Sequence, residues 1–110
     1  MKLVHLKDLP EAGASDNPEI IKKVILKSGL QPRLMMFSRS FFKPGQVTFK
    51  HQHPTMFETY YVLEGRGVVN GQDYEMKIDD CLVIEPGEEH FVKNAGPGPL
   101  SYLYSGIATD

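Results

Sequence analysis

Two histidines lie two residues apart, at His51 and His53, and a carboxylate, Glu58, follows five residues after the second. The residues before them alternate, so we expect a strand whose successive side chains point to opposite faces. One face of that strand would carry Val47, Phe49, His51 and His53. Two unpaired imidazoles in an apolar interior would be costly to bury. A metal ion removes that cost by accepting both lone pairs, and imidazole with carboxylate suits a divalent transition metal.

A further histidine, His90, extends this pattern, and the chain around it resembles the cupin family. The first cupin motif reads G-x5-H-x-H-x3/4-E-x6-G, and residues 45–65 fill it with every spacing correct. Its five fixed positions are Gly45, His51, His53, Glu58 and Gly65. Five fixed positions at fixed gaps rarely coincide by chance, so this motif is a specific signal.

The second cupin motif, at residues 79–94, matches in part. Gly87, His90 and Asn94 fit it. Asp79 stands where the family has glycine, and Glu85 stands where it has proline. These differences concern the geometry of the turns and leave the histidine in place.

The resemblance implies one domain over residues 1–110, all-β, with the double-stranded β-helix or jelly-roll barrel of cupins. It also implies one divalent transition-metal ion held by four side chains: His51, His53, Glu58 and His90. Manganese, iron, nickel, cobalt, copper and zinc all accept such ligands, so the donors do not name the metal.

Length and composition agree with a small globular domain. The chain has 110 residues, room for one core. A net charge of −2 without a basic stripe argues against a nucleic-acid partner. No apolar run approaches membrane-spanning length, and the first residues lack the apolar core of a signal peptide. One cysteine excludes an internal disulfide. We therefore expect a cytoplasmic protein without a membrane partner.

Short apolar or alternating segments separated by Gly and Pro turns predict many β-strands and no helix. The segment 10–18 reads as a polar loop, and Cys81–Ile84 reads as a short buried strand with Cys81 as a small hydrophobe. An Asn-Gly pair at 70–71 predicts a tight hairpin, because both residues accept positive φ angles. The other predicted strands are residues 20–26, 34–42, 47–53, 59–63, 90–92 and 100–107.

A pocket beside the metal would be mostly apolar with few polar points. Parity within segment 34–42 places Met35, Phe37 and Arg39 on one face, and Arg39 there would pair with a carboxylate or an anionic ligand. The full set of candidate pocket residues is Met35, Phe37, Arg39, Phe49, Tyr60 and Tyr102. Asn94 reads chiefly as a residue that satisfies loop backbone. The expected ligand is a small oxygen-rich organic acid or carbonyl compound.

Three functions remain open at this point. The family resemblance favours a metal-dependent enzyme of the dioxygenase or isomerase type. Glu58 argues against the thiol dioxygenase branch, and the single domain argues against the two-domain oxalate enzymes. The alternative is a non-catalytic module that binds or senses a small ligand through the metal. A purely structural ion is the third hypothesis.

Residues 20–26 are more apolar than a solvated edge strand should be, with Lys22 and Lys23 as the only charges. We expect such a strand to join a sheet or to cover one at a two-fold interface, as the first strand does in many cupins, and two-fold dimers are the commonest oligomers. We therefore predict a homodimer.

Overall fold

The computed structural model describes all 110 residues and consists of nine β-strands with one short 3₁₀ turn, Leu6–Asp8. The strands are β1 Ala12–Ala14, β2 Asn17–Leu26, β3 Leu34–Phe42, β4 Met56–Glu64, β5 Gly67–Val69, β6 Tyr74–Met76, β7 Cys81–Ile84, β8 Val92–Asn94 and β9 Leu100–Ala108. A six-stranded sheet has the order β1-β2-β3-β9-β4-β7, and a three-stranded sheet has the order β6-β5-β8. All pairs are antiparallel. The structure contains no helix with the length and apolarity needed to cross a membrane.

The core contains apolar side chains from both sheets. Phe42, Val62 and Leu100 come from the six-stranded sheet, and Val69 and Val92 come from the three-stranded sheet. All five are at most 3% exposed. Burial of these side chains holds the two sheets face to face, since removing apolar surface from water is the main favourable term in folding.

Strand register aligns inward-facing side chains in rows across the six-stranded sheet. Ser38 of β3 pairs with Tyr104 of β9, and Tyr104 pairs with Tyr60 of β4. In the next row Met36 pairs with Gly106, and Gly106 pairs with Glu58. Paired residues in a sheet point to the same face. The rows therefore bring Glu58 and two tyrosines into the same interior.

The Asn-Gly hairpin is confirmed. Asn70 and Gly71 have φ angles of 53° and 80° in the connection between β5 and β6. Asp79, which stands where the cupin motif has glycine, also has a positive φ of 70°. Its carboxylate accepts a hydrogen bond of 2.9 Å from the Tyr61 hydroxyl. Asp79 thus adopts the left-handed backbone that a glycine favours, so the departure leaves the turn intact.

Three expectations about strands are wrong. Residues 47–53 form no continuous strand, since only Val47 and His51 make isolated bridges there. The segment 10–18 is not only a loop, because it contains β1, which pairs with β2. Cys81 is exposed, so β7 is not a buried run. The expectation that residues 20–26 join a sheet is correct, because β2 lies between β1 and β3 with Ile20 fully buried in its own chain.

Candidate metal centre

An isolated β-bridge brings two of the histidines together. His51 N–H donates to the His90 carbonyl at 3.1 Å, and His90 N–H donates to the His51 carbonyl at 2.9 Å. The two imidazole ring centres are consequently 4.1 Å apart, and the His53 ring lies 5.1 Å from that of His51. A backbone pair between distant segments thus positions the ligands from both motifs.

Glu58 reaches the same point from β4. Its side chain is 2% exposed, and its Oε1 lies 3.0 Å from His90 Nε2 and 3.4 Å from His53 Nε2. The four ligand atoms of His51, His53, Glu58 and His90 all lie within 4.8 Å of one another. Atoms bound to one ion at about 2.0–2.2 Å lie at most ~4.4 Å apart. Small side-chain adjustments would therefore bring the four atoms within coordinating distance of one ion.

The backbone fixes which imidazole nitrogen faces the cluster. His51 Nδ1 lies 2.6 Å from the Phe49 carbonyl, and His90 Nδ1 lies 3.0 Å from the Glu88 carbonyl. A carbonyl can only accept, so both Nδ1 atoms carry the proton and both Nε2 atoms present a lone pair. This is the usual way in which an outer hydrogen bond orients a metal-binding histidine.

Three buried atoms in the cluster have no hydrogen-bond partner: His51 Nε2, Glu58 Oε1 and His90 Nε2. The carboxylate contacts at 3.0–3.4 Å are short but do not supply that missing partner. Buried polar atoms are rarely left unpaired in folded proteins. A cation between these lone pairs would satisfy all three, so the residues present fit a divalent transition metal.

Asp16 is an acidic residue at this centre that the sequence did not reveal. Its Oδ2 lies 3.1 Å from His51 Nε2, at a contact that also lacks hydrogen-bond geometry. Two hydrogen bonds hold the loop in place: Phe49 N–H donates to the Asp16 carbonyl at 2.8 Å, and the side-chain amide of Asn17 donates to the Val47 carbonyl at 2.9 Å. The only sequence signal was the acidic character of the loop between β1 and β2.

Opposing effects set the pKa of His90. Burial lowers its pKa, while the contact with Glu58, the hydrogen bond to the Glu88 carbonyl and the charge of Asp16 raise it. The net result is a raised pKa. An imidazolium would place its second proton towards Glu58, so a proton and a metal ion would compete for the same position.

A small cavity adjoins the cluster, inside the six-stranded sheet. The cavity itself has a volume of about 20 Å³, within a wider space between the atoms of about 340 Å³ that is partly open to solvent. The cavity volume is enough for roughly one water molecule. The lining side chains include Asp16, Lys22, Ser40, Glu58, Tyr60, Tyr102 and Tyr104.

Three tyrosines form one wall of this cavity. The rings of Tyr60 and Tyr102 stack with centres 4.6 Å apart, and Tyr104 meets Tyr60 edge to face at 5.9 Å. Burial is the main cause that raises the pKa of each hydroxyl, with the charges of Glu58 and Asp16 adding to it. The hydroxyls therefore stay protonated at neutral pH and act as hydrogen-bond donors.

Two of the six candidate pocket residues line the cavity, and four lie elsewhere. Tyr60 and Tyr102 are the two that line it. Phe49 is 61% exposed and Met35 is 42% exposed. Arg39 Nε donates to Ser101 Oγ at 2.8 Å, and its guanidinium lies over the Phe41 ring.

The candidates on β3 lie outside the cavity because this strand turns its other face to the interior. The inward face carries Ser38, Ser40 and Phe42, while Phe37 and Arg39 lie on the outward face. The interior here is mixed, since the cavity wall combines serine, lysine and tyrosine side chains with Ile20 and Phe42. The rule that apolar side chains face inward therefore does not identify the inward face of β3. Asn94 supports loops, since its amide donates to the Phe42 and Gly98 carbonyls at 3.2 and 2.9 Å.

The profile of a known family, described as the cupin domain, matches residues 39–106. The chain is a cupin. The match covers most of the molecule and includes all four metal-ligand candidates. The two antiparallel sheets are accordingly those of the predicted double-stranded β-helix.

Relatives of this cupin include an oxalate-binding protein of Thermotoga maritima, 33% identical over 82 residues, which are 73% of this chain and 68% of the relative. The crystal structure of a predicted oxalate decarboxylase from Thermotoga maritima superposes with a TM-score of 0.87 at 26% identity, over 97% of this chain and 99% of that one. A sugar phosphate isomerase of the cupin superfamily from Silicibacter pomeroyi superposes with a TM-score of 0.83 at 19% identity, over 98% of this chain and 76% of that one. At 19% identity, the likeness to the sugar phosphate isomerase shows a shared fold alone.

Proposed function

We propose that this cupin binds one divalent transition-metal ion through His51, His53, Glu58 and His90, and that the ion chelates a small carboxylate or carbonyl compound. The observation that carries the proposal is the set of three buried ligand atoms without a hydrogen-bond partner. A bound metal would attract oxygen donors of a ligand and polarise them. Every other contact to the ligand comes from the side chains that line the cavity.

The polarity of the cavity walls supports an oxygen-rich ligand. Tyr60, Tyr102 and Tyr104 present protonated hydroxyls, and Lys22 presents an ammonium, so the walls offer donors to a ligand rich in acceptors. The relative described as an oxalate-binding protein makes oxalate the first compound to test. Oxalate is small, planar and able to chelate through two oxygens.

Binding without turnover needs only the metal and the donors of the cavity wall, so it is the first candidate function, and catalysis is the second. Asp16 favours the second candidate, because a partly exposed carboxylate at 3.1 Å from His51 Nε2 could accept or return a proton at the edge of the site. The expected reaction classes remain those of a dioxygenase or an isomerase. The relatives do not select between them.

The direct test is a calorimetric titration of metal-loaded and metal-free protein with oxalate. The proposal expects binding that depends on the metal. Equal binding without metal would contradict chelation. The same samples incubated with oxalate and dioxygen separate the two candidates. Carbon dioxide release or dioxygen uptake that Asp16→Asn abolishes would favour catalysis, and binding without either would favour the non-catalytic role.

We also propose a homodimer, now on a different basis from the strand at residues 20–26. The outward face of the six-stranded sheet carries large apolar side chains in contiguous register. They are Phe57, Tyr61, Val83 and Ile107, each between 39% and 61% exposed. A contiguous exposed apolar surface of this kind is typical of an interface between subunits.

A further inference from the structure

Lys22 is a buried cation without an anionic partner. It lies on β2, is 7% exposed and lines the cavity beside the metal centre. No carboxylate lies within ion-pair distance of its ammonium, and its nearest acceptor is the thioether of Met36, with Nζ and Sδ 3.5 Å apart. Lysine is almost never this buried unless it is paired.

Two further donors beside Lys22 lack an oxygen acceptor. The Tyr104 hydroxyl also donates to Met36 Sδ, at 3.0 Å, so one thioether accepts from both groups. A thioether is a weak acceptor, and it satisfies neither donor well. Ser38, the register partner of Tyr104, is fully buried, and its Oγ has no hydrogen-bond partner. Lys22 and Tyr104 therefore share one weak acceptor, and no oxygen accepts from either group.

Lys22 and Tyr104 line the same cavity as Glu58 of the metal centre. Met36, Gly106 and Glu58 form one row across β3, β9 and β4. Gly106 has no side chain, and the flexible side chain of Met56 lies over it. A compact ligand held at the metal centre could extend its negative end towards the ammonium.

We infer that Lys22 is an anion-binding residue of the cavity and that, together with Tyr104, it holds the negatively charged end of a small carboxylate. The inference rests on the proposed function for the other end of the ligand, where oxygens face the cluster at Glu58. An ammonium and a hydroxyl supply the charge-assisted and neutral donors that a carboxylate needs. The ligand replaces Met36 as their acceptor, which makes the sulfur a reporter of binding.

The first experiment uses metal-free protein, so that chelation contributes nothing. Protein labelled with ¹³C at the methionine methyl groups is titrated with sodium formate, the smallest carboxylate, against sodium chloride at equal ionic strength. The Met36 methyl resonance should shift and saturate with formate, because Lys22 and Tyr104 leave its sulfur. The Met35 methyl group, on the neighbouring residue at the outer surface, is the internal control and should not move.

Matched variants decide which lysine is responsible. Lys22→Met and Lys22→Gln should both abolish the formate-dependent shift. Lys22→Gln is the control for any repacking of the cavity that the new methionine causes. Lys23→Met is the control from the same strand, because the Lys23 ammonium donates to the Leu6 carbonyl outside the cavity. Its titration should match that of the parent protein. A Met36 shift that persists unchanged without Lys22, or one that is absent from the parent protein, would overturn the inference.

A second arm uses metal-loaded protein and oxalate. Lys22→Met should weaken oxalate binding about tenfold or more while metal content stays equal to that of Lys23→Met. Equal oxalate affinity in both variants would overturn the role of Lys22 and leave the metal site standing. Failure of the parent protein to bind metal, with a formate response that depends on Lys22, would defeat the proposed function and leave the anion site standing.

Discussion

Glu58 Oε1 and His90 Nε2 lie 3.0 Å apart in the interior, and neither atom has a hydrogen-bond partner. His90 directs its Nδ1 proton to the Glu88 carbonyl, so its Nε2 lone pair faces the carboxylate. Two lone pairs at this distance repel each other unless a cation lies between them. A proton or a metal ion can fill that role, and the site is therefore built to bind a cation.

Competition between these two cations predicts the pH dependence of metal binding. Because the pKa of His90 is raised, the cluster holds a proton to a higher pH than a free imidazole would, and metal must displace it. The metal-dependent rise in melting temperature should be clearly larger at about pH 8 than at about pH 5.5, on either side of the usual histidine pKa of about 6.5. A rise of equal size at both pH values would contradict this.

The metal-free protein should show the opposite trend. A raised folded pKa means that His90 contributes stability below about pH 6.5, the unfolded value, and loses it as pH rises through the folded pKa. Urea unfolding of metal-free protein across this range, compared with His90→Gln, isolates the contribution. Identical pH profiles for the two proteins would show that His90 does not supply it.

Lys22→Met should stabilise the protein while removing an anion-binding group. A buried ammonium whose only acceptor is a thioether is a net cost, and apolar replacements of buried charges are often stabilising by about 1–4 kcal/mol. We expect an increase of about 1 kcal/mol or more in the free energy of unfolding, measured by urea denaturation. Lys23→Met, the control, should change it by no more than about 0.5 kcal/mol. A clear loss of stability in Lys22→Met would mean that the ammonium supports the fold.

Asp79→Gly should also stabilise the protein, because only glycine adopts a φ of 70° without strain. The left-handed conformation costs other residues about 1–2 kcal/mol. The substitution also removes the exposed hydrogen bond from Tyr61, and Tyr61→Phe measures that part separately. The expected net gain is roughly 0.5–1 kcal/mol in the free energy of unfolding. A loss larger than that of Tyr61→Phe would show that the aspartate itself fixes the turn.

The homodimer prediction depends on the outward face of the six-stranded sheet. Val83→Lys places a charge on the most exposed residue of that face and should produce a monomer in sedimentation or light scattering at micromolar concentration. Tyr74→Lys, at a comparably exposed position on the three-stranded sheet, should leave the assembly unchanged. A parent protein that is monomeric in the same measurement would contradict the prediction.

The fold and the four donors could be predicted from the sequence, because most of the signals for them lie within short segments of the chain. The spacing of His51, His53 and Glu58 is a property of one short segment, and the Asn-Gly turn depends on two adjacent residues. The approach of His90 followed from family resemblance, because the bridge between His51 and His90 joins segments 39 residues apart in the chain. Periodicity alone would not have placed it.

The cavity wall was harder to predict, because polarity does not reveal which face of a strand is inward when the interior itself holds polar side chains. On β3, Ser38 and Ser40 face inward beside Phe42. Lys22 shares parity with Ile20, which is fully buried, and that alternation is the available signal. Because lysine commonly protects an edge strand, the charge itself favours the opposite interpretation. Asp16 lies in a loop, where no periodicity applies.

A single metal ion at this centre is the central requirement of the proposed function. Purified protein is stripped, reconstituted with each candidate metal in turn, and analysed for metal content and melting temperature, together with His51→Ala and the distant control His5→Ala. We predict about one ion per chain and a metal-dependent rise in melting temperature for the parent protein and His5→Ala, with both lost in His51→Ala. Substoichiometric metal in the parent protein after every reconstitution, or equal metal dependence in both variants, would contradict a metal centre at these residues.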